Sequence, residues 1–160
     1  MSDSRNFIQI LIDTLQKQVE VLKEILEITQ EQSVIAQDSE FDEIMLEKSL
    51  NKKEVLIARL NELDDGFTSV YGRVRSEVKD RQELYKDELR QMQELIKECT
   101  DLGVNIRVLE ERNREKLTQC FASKHKQYGS KQTAASVASR YNQTMNNMKM
   151  LNSSFFNQKN

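Results

Sequence analysis

Apolar side chains step by four and three from the beginning of the chain, and no proline interrupts them anywhere. Ile8, Ile12, Leu15, Val19, Leu22 and Leu26 hold one register, which Thr29, Ser33 and Ala36 extend. Such a repeat puts all of these side chains on one face of an α-helix, whereas a strand would scatter them to both faces. Leu11, Ile25 and Ile28 widen the stripe, so this helix is expected to pack against more than one neighbour. Only 4 glycines, no tryptophan and long runs of Leu, Ile, Glu, Lys, Gln and Arg carry the helical expectation over nearly all 160 residues.

Breaks in the pattern divide the chain. A first helix is expected over about 4–37, with Ser4 or Asp3 as its N-cap. The stretch 37–43 favours turns, and Ser39 followed by Asp42 resembles a capping box, so a second helix is expected over about 40–63. Leu56, Leu60, Leu63, Phe67, Val70 and Val74 keep the four-three step, but Asp64, Asp65, Gly66 and Gly72 make 64–77 a bent helix or a loop. A third helix over about 78–127 carries Tyr85, Leu89, Met92, Ile96, Cys99, Leu102, Ile106, Leu109 and Leu117 on its stripe. Asn113 falls on that stripe, where a polar residue fixes register between helices. The expected fold is all-α: an elongated antiparallel bundle or coiled-coil hairpin of three long helices forming one domain over 1–128. It is followed by a polar, partly flexible tail over 129–160. Within the tail, 130–140 reads as a mobile linker, and Tyr141, Met145, Met148, Leu151 and Phe155 give 140–156 an amphipathic stripe. That stripe suits either an adaptable recognition surface or a short helix docking on the bundle.

Charge is uneven along the chain. Residues 1–65 hold fifteen acidic and seven basic side chains, net -8, and 66–160 hold eleven and seventeen, net +6. This favours the chain doubling back on itself, though exposed pairs gain little from it. The closing segment after Glu115 is purely basic but lacks an Arg-rich run or a regular aromatic platform, so nucleic-acid binding is not expected. Cys99 and Cys120, twenty-one residues apart on one helix, are too far apart to bridge. With no signal peptide and no long apolar run, the expectation is a cytoplasmic protein with no membrane insertion.

No catalytic, metal or cofactor constellation is expected either. The single histidine, His125, stands between Lys124 and Lys126 near a helix end, where cations suit the macrodipole. Glu110-Glu111 and Asp64-Asp65 are neighbouring carboxylates that point about 100° apart on a helix, so they read as solvated charge and not as an acid/base pair. A di-metal carboxylate bundle needs more than one histidine. The chain is therefore read as a binding protein and not an enzyme.

Some longer stretches resemble a known family. Asn105-Ile106-Arg107-Val108-Leu109-Glu110-Glu111-Arg112-Asn113-Arg114-Glu115-Lys116-Leu117, late on a long helix, is similar to the region of FlgN-type flagellar export chaperones where an asparagine lies among aliphatics. The early Leu-rich helix broken near Ala36 and Asp38, the following Lys53 and Leu56, and Tyr128-Gly129 opening a polar tail that ends in Ser154-Phe155-Phe156-Asn157-Gln158-Lys159 also resemble that family. The resemblance implies a cytosolic chaperone, a monomer or weak homodimer. It would hold C-terminal helices of hook-associated (hook-filament junction) proteins unassembled for flagellar type III secretion, in touch with the export apparatus. It implies client contacts at Leu102, Ile106, Leu109, Asn113 and Leu117 of the third helix and at Tyr141, Met145, Met148 and Leu151 of the tail. The competing readings are core packing for these same residues, and a structural coiled-coil adaptor that dimerises through the 8–36 seam.

Overall fold

The computed structural model describes residues 2–37, 41–128 and 131–148, with side chains placed for 4–37, 41–122 and 139–148. Four helices follow one another: α1 Ser2–Gln37, α2 Glu43–Asp80, α3 Lys86–Tyr128 and α4 Lys131–Asn146. No strand occurs among the described residues. The wide stripe of α1 has the consequence expected of it, since α1 packs along both α2 and α3, and α4 lies against α3 and α2.

Two apolar clusters give the direction of each helix. One joins Val19 to Ala36 of α1 with Leu46 to Leu60 of α2, Cys99 to Phe121 of α3, and Tyr141, Met145 and Met148. The other joins Ile8 to Leu15 with Phe67 to Val78, Tyr85 and Met92. Hence α2 runs antiparallel to α1 and α3 parallel to it. The α1–α3 register is constant: Cys99 Sγ meets the Leu15 carbonyl, Asn113 Nδ2 donates to that of Thr29 and Cys120 Sγ to that of Ala36, each pair 84 residues apart. That separation is a whole number of heptads, so the same stripe positions meet turn after turn. The 8–36 seam is thus covered by α2 and α3 of the same chain.

Both ends of the three long helices are pinned. Phe41 and Phe121 meet edge to face at 5.4 Å near one end. At the other, Arg5 pairs with Glu88 at 2.9 Å and lies 5.5 Å from the centre of the Tyr85 ring.

Several boundaries differ from the sequence expectation, beginning with α1, which starts at Ser2 and so has Asp3 and Ser4 inside the helix and not at its N-cap. The N-cap of α2 is Asp42, whose carboxylate accepts from the backbone N–H groups of Ile44 and Met45 at 2.9 and 3.2 Å; Ser39 lies outside the described residues. Residues 64–77, expected as a bent helix or loop, belong to one helix that continues to Asp80, because Phe67, Val74 and Val78 prolong its buried stripe. The third helix consequently starts at Lys86 instead of 78, after a turn in which Leu84 and Tyr85 donate back to Arg81 and Gln82. The expected 130–140 linker is helical from Lys131, in keeping with its Lys, Gln and Ala content, so α4 begins earlier than the 140–156 segment; residues 149–156 lie outside the described residues.

Burial of the flanking stripe carries α2 through two glycines that its packing does not require. A Cβ added at Gly66 or Gly72 meets nothing within 4 Å, and both positions are exposed. Gly66→Ala and Gly72→Ala are therefore each expected to stabilise the protein by about 0.5–1 kcal/mol, read from the urea unfolding midpoint. A destabilising result at either would mean that α2 is not a continuous helix there.

Candidate helix-binding groove

A buried charge lies where all four helices meet. On α2 the four-three stripe reads Leu46, Leu50, Lys53, Ile57, Leu60, so helical geometry alone drives the Lys53 side chain inward, where it is 0% exposed. The same logic applies to Glu110 on α3, which follows Ile106 by four and precedes Asn113 by three. Glu110 is buried as well and forms an ion pair and hydrogen bond with the Lys53 ammonium. Its other oxygen, Oε2, accepts from the Tyr141 hydroxyl of α4, whose ring centre lies 5.6 Å from Lys53 Nζ.

Neighbouring polar groups complete the network. Lys53 donates to Gln32 Oε1 at 2.8 Å, Gln32 Nε2 donates to the Ser49 hydroxyl at 3.0 Å, and that hydroxyl donates to the Leu46 carbonyl at 2.6 Å. Asn113 donates to the Thr29 carbonyl at 3.0 Å and accepts from Ser33 at 2.6 Å, tying α3 to α1. Burial pulls the Lys53 ammonium below its ordinary pKa, with the charge and hydrogen bond of Glu110 opposing. Burial, reinforced by the adjacent Glu110 charge, pushes the Tyr141 phenol far up, so it stays a protonated donor.

At the rim, α4 is held by charge. Arg140 Nε donates to Glu54 Oε1 at 3.0 Å, Arg140 also bonds Asn51 and lies 3.6 Å from Glu47, and Thr144 donates to Glu54 at 3.1 Å. Farther along, Asn61 Nδ2 donates to the Asn147 carbonyl at 2.9 Å. Contact between α4 and α2 is incomplete: an open cleft of about 480 Å³ lined by Glu54, Ile57, Ala58, Asn61, Thr144 and Asn147 runs beside it.

Of the expected client-binding residues, Ile106, Asn113, Leu117, Tyr141, Met145 and Met148 are buried and Leu102 and Leu109 half-buried, while Leu151 lies outside the described residues. Ile106, Leu117, Tyr141, Met145 and Met148 share one cluster, with Leu102 packed against it. None of the six buried residues is open surface in this structure, because α1 covers one side of the α3 stripe and α4 another. Two expectations about charge are corrected. Glu110 is not solvated, since its place on the stripe buries it, whereas Glu111 is exposed; Asp64 is half-buried, and burial together with the charge of Asp65 raises its pKa. The His125 side chain is outside those described. Among the described residues there is no group of three or more His, Cys, Asp or Glu placed to hold a metal, and no helix is long and apolar enough to cross a membrane.

Sequence reasoning missed Lys53, Gln32, Ser49, Glu54 and Arg140. For Lys53 the signal was its place in the four-three step; for Arg140 and Glu54, both at the rim, no local pattern gives them away. No protein-family model, curated protein or solved structure matches this chain.

Breaking the buried pair from one side leaves a charge without its partner. Lys53→Met is expected to cost about 3–5 kcal/mol, and the double change Lys53→Met with Glu110→Gln to regain more than half of that, measured by urea unfolding. Strictly additive losses would show that the two side chains do not act as a unit.

The rim responds to acid. The hydrogen bond from Arg140 chiefly holds the Glu54 carboxyl below its usual range, partial burial opposing it. Because the folded pKa lies below the unfolded one, this contribution is fully present above about pH 4.3 and is lost as pH falls through the depressed value. NMR shifts of Thr144 are expected to follow that acid transition in the native chain and not in Glu54→Gln.

Proposed function

We propose that this chain is a cytosolic export chaperone resembling the FlgN type. On this reading it holds C-terminal helices of hook-associated flagellar proteins and keeps them unassembled until the type III export apparatus takes them. The observation that supports it is the seating of α4: a short helix, 16 residues against 36, 38 and 43 for the others, lies in a groove between α2 and α3. Its described contacts combine two methionines, a tyrosine and rim charges.

A groove that accepts one amphipathic helix can accept another, and methionine side chains adapt to different partners. In this reading α4 is the internal occupant and a client helix replaces it. Ile106, Leu117 and Glu110 then meet the client, and Tyr141, Met145 and Met148 leave with α4. Asn113 keeps its role on the α1 side. Because α4 is tethered, a client must bind well enough to overcome the high local concentration of the resident helix.

Co-purification tests this. The full-length chain is expected to retain hook-associated proteins as one-to-one complexes by sedimentation, and to lose them when the client's C-terminal helix is deleted. Retention of none of them would remove the chaperone reading, and a tight homodimer lacking clients would support the adaptor instead.

A further inference from the structure

The groove is not a generic apolar trough, and its chemistry specifies what can occupy it. Its floor contains Glu110, with Oε1 committed to Lys53 and Oε2 to the hydroxyl of Tyr141. Its rim on α2 presents Glu47, Glu54 and Asn51, all engaged by Arg140. Resting on the helix-capture reading above, we propose that the α2–α3 groove selects a partner helix carrying a cation followed immediately by a hydroxyl-bearing aromatic residue, with flexible apolar residues four and seven positions after it. Arg140, Tyr141, Met145 and Met148 are the resident copy of that pattern.

The reason lies in what an unsuitable helix would do to Glu110. A purely apolar occupant covers Oε2 without supplying a donor, and a buried acceptor on a charged group left without one weakens binding by about tenfold or more. The rim cation matters less, because Arg140 and Glu54 keep 30% and 44% of their side-chain surface exposed. Losing it is expected to weaken binding by about two- to fivefold.

The same geometry shows how a partner can displace α4. Thr144 and Asn147 are small and polar, and the cleft beside them on α2 is floored by Ile57 and Ala58. A helix with Leu or Met at the positions three and six after its aromatic residue fills that cleft and buries apolar surface that α4 leaves open. The partner is thus expected to resemble α4 in its polar anchor and to exceed it in apolar bulk.

The test uses the full-length chain carrying Arg140→Ala, which loosens α4 without touching the groove. The probes are fluorescent synthetic peptides with the sequence of residues 131–150, read by anisotropy. The expected result is saturable binding, about tenfold weaker when the peptide's tyrosine is replaced by phenylalanine and severalfold tighter when leucine replaces the residue matching Asn147. Equal affinity for the tyrosine and phenylalanine peptides overturns the proposal. Sedimentation is run alongside, and dimers formed by exchange of α4 between copies also overturn it, since the occupant would then be a second copy.

If no peptide binds, hydrogen exchange in the intact chain decides. Tyr141→Phe is expected to lower amide protection of α4 by about tenfold while leaving α1 unchanged, and equal protection overturns the proposal. Tyrosine selectivity without retention of hook-associated proteins overturns their assignment as clients and leaves this inference standing. Their retention without tyrosine selectivity does the reverse.

Discussion

An ammonium and a carboxylate buried together stabilise a fold only when each has no alternative, because the cost of taking both out of water can exceed their mutual attraction. Lys53 and Glu110 meet that condition by drawing in every helix. Gln32 of α1 accepts from the lysine, α2 and α3 carry the pair, and Tyr141 of α4 donates to the carboxylate. A slip of α2 against α3 by one residue would turn one of the charges away from the other into apolar surroundings. Register is therefore set by a penalty for misalignment as much as by the gain from alignment, in the manner of a polar residue at a coiled-coil core position. Asn113, bonded to Thr29 and Ser33, does the same for α3 against α1 at neutral charge.

Much of this frame was legible because long amphipathic helices announce themselves by period. The α1 stripe predicted a helix with two neighbours, and the structure places α2 and α3 on it. What could not be read locally depended on partners distant in sequence. Gly66 and Gly72 are poor helix residues, and only burial of Phe67, Val74 and Val78 outweighs them. The 81–85 turn has neither glycine nor proline, so nothing in the sequence placed the break between α2 and α3 there. Glu110 read as surface because its neighbour Glu111 is surface. Counting the stripe through Ile106, Asn113 and Leu117 would have turned Glu110 inward, and counting Leu46 to Leu60 would have done so for Lys53.

The molecule is uneven along its length. The cluster around Lys53 is enclosed by four helices, whereas that around Ile8, Phe67 and Tyr85 is built by three. Gln18 lies between Leu15 of one cluster and Val19 of the other; it is 1% exposed, and neither of its amide atoms has a hydrogen-bond partner among the described residues. A buried amide in that condition costs free energy that a leucine would not, so packing at the junction is less than optimal. Gln18 thus marks where the two clusters divide, although Leu95 of α3 packs against both.

That separation bears on how α4 could leave. Its described anchors all lie in the half that contains Lys53, and the pinned contacts of Arg5 with Glu88 and Tyr85 lie in the other. Departure of α4 would expose the Glu110 carboxylate and the side of α3 that Met145 and Met148 cover while leaving the α1–α3 register intact, because that register is fixed by hydrogen bonds made to α1 itself. Exposure also changes the electrostatics. Water reaching Glu110 and Lys53 lowers their desolvation cost, which offsets part of what is lost with Tyr141. A buried ion pair at the floor of a groove thus makes the open state less unfavourable than an apolar floor would, and it makes the closed state discriminate among helices by whether they bring a donor.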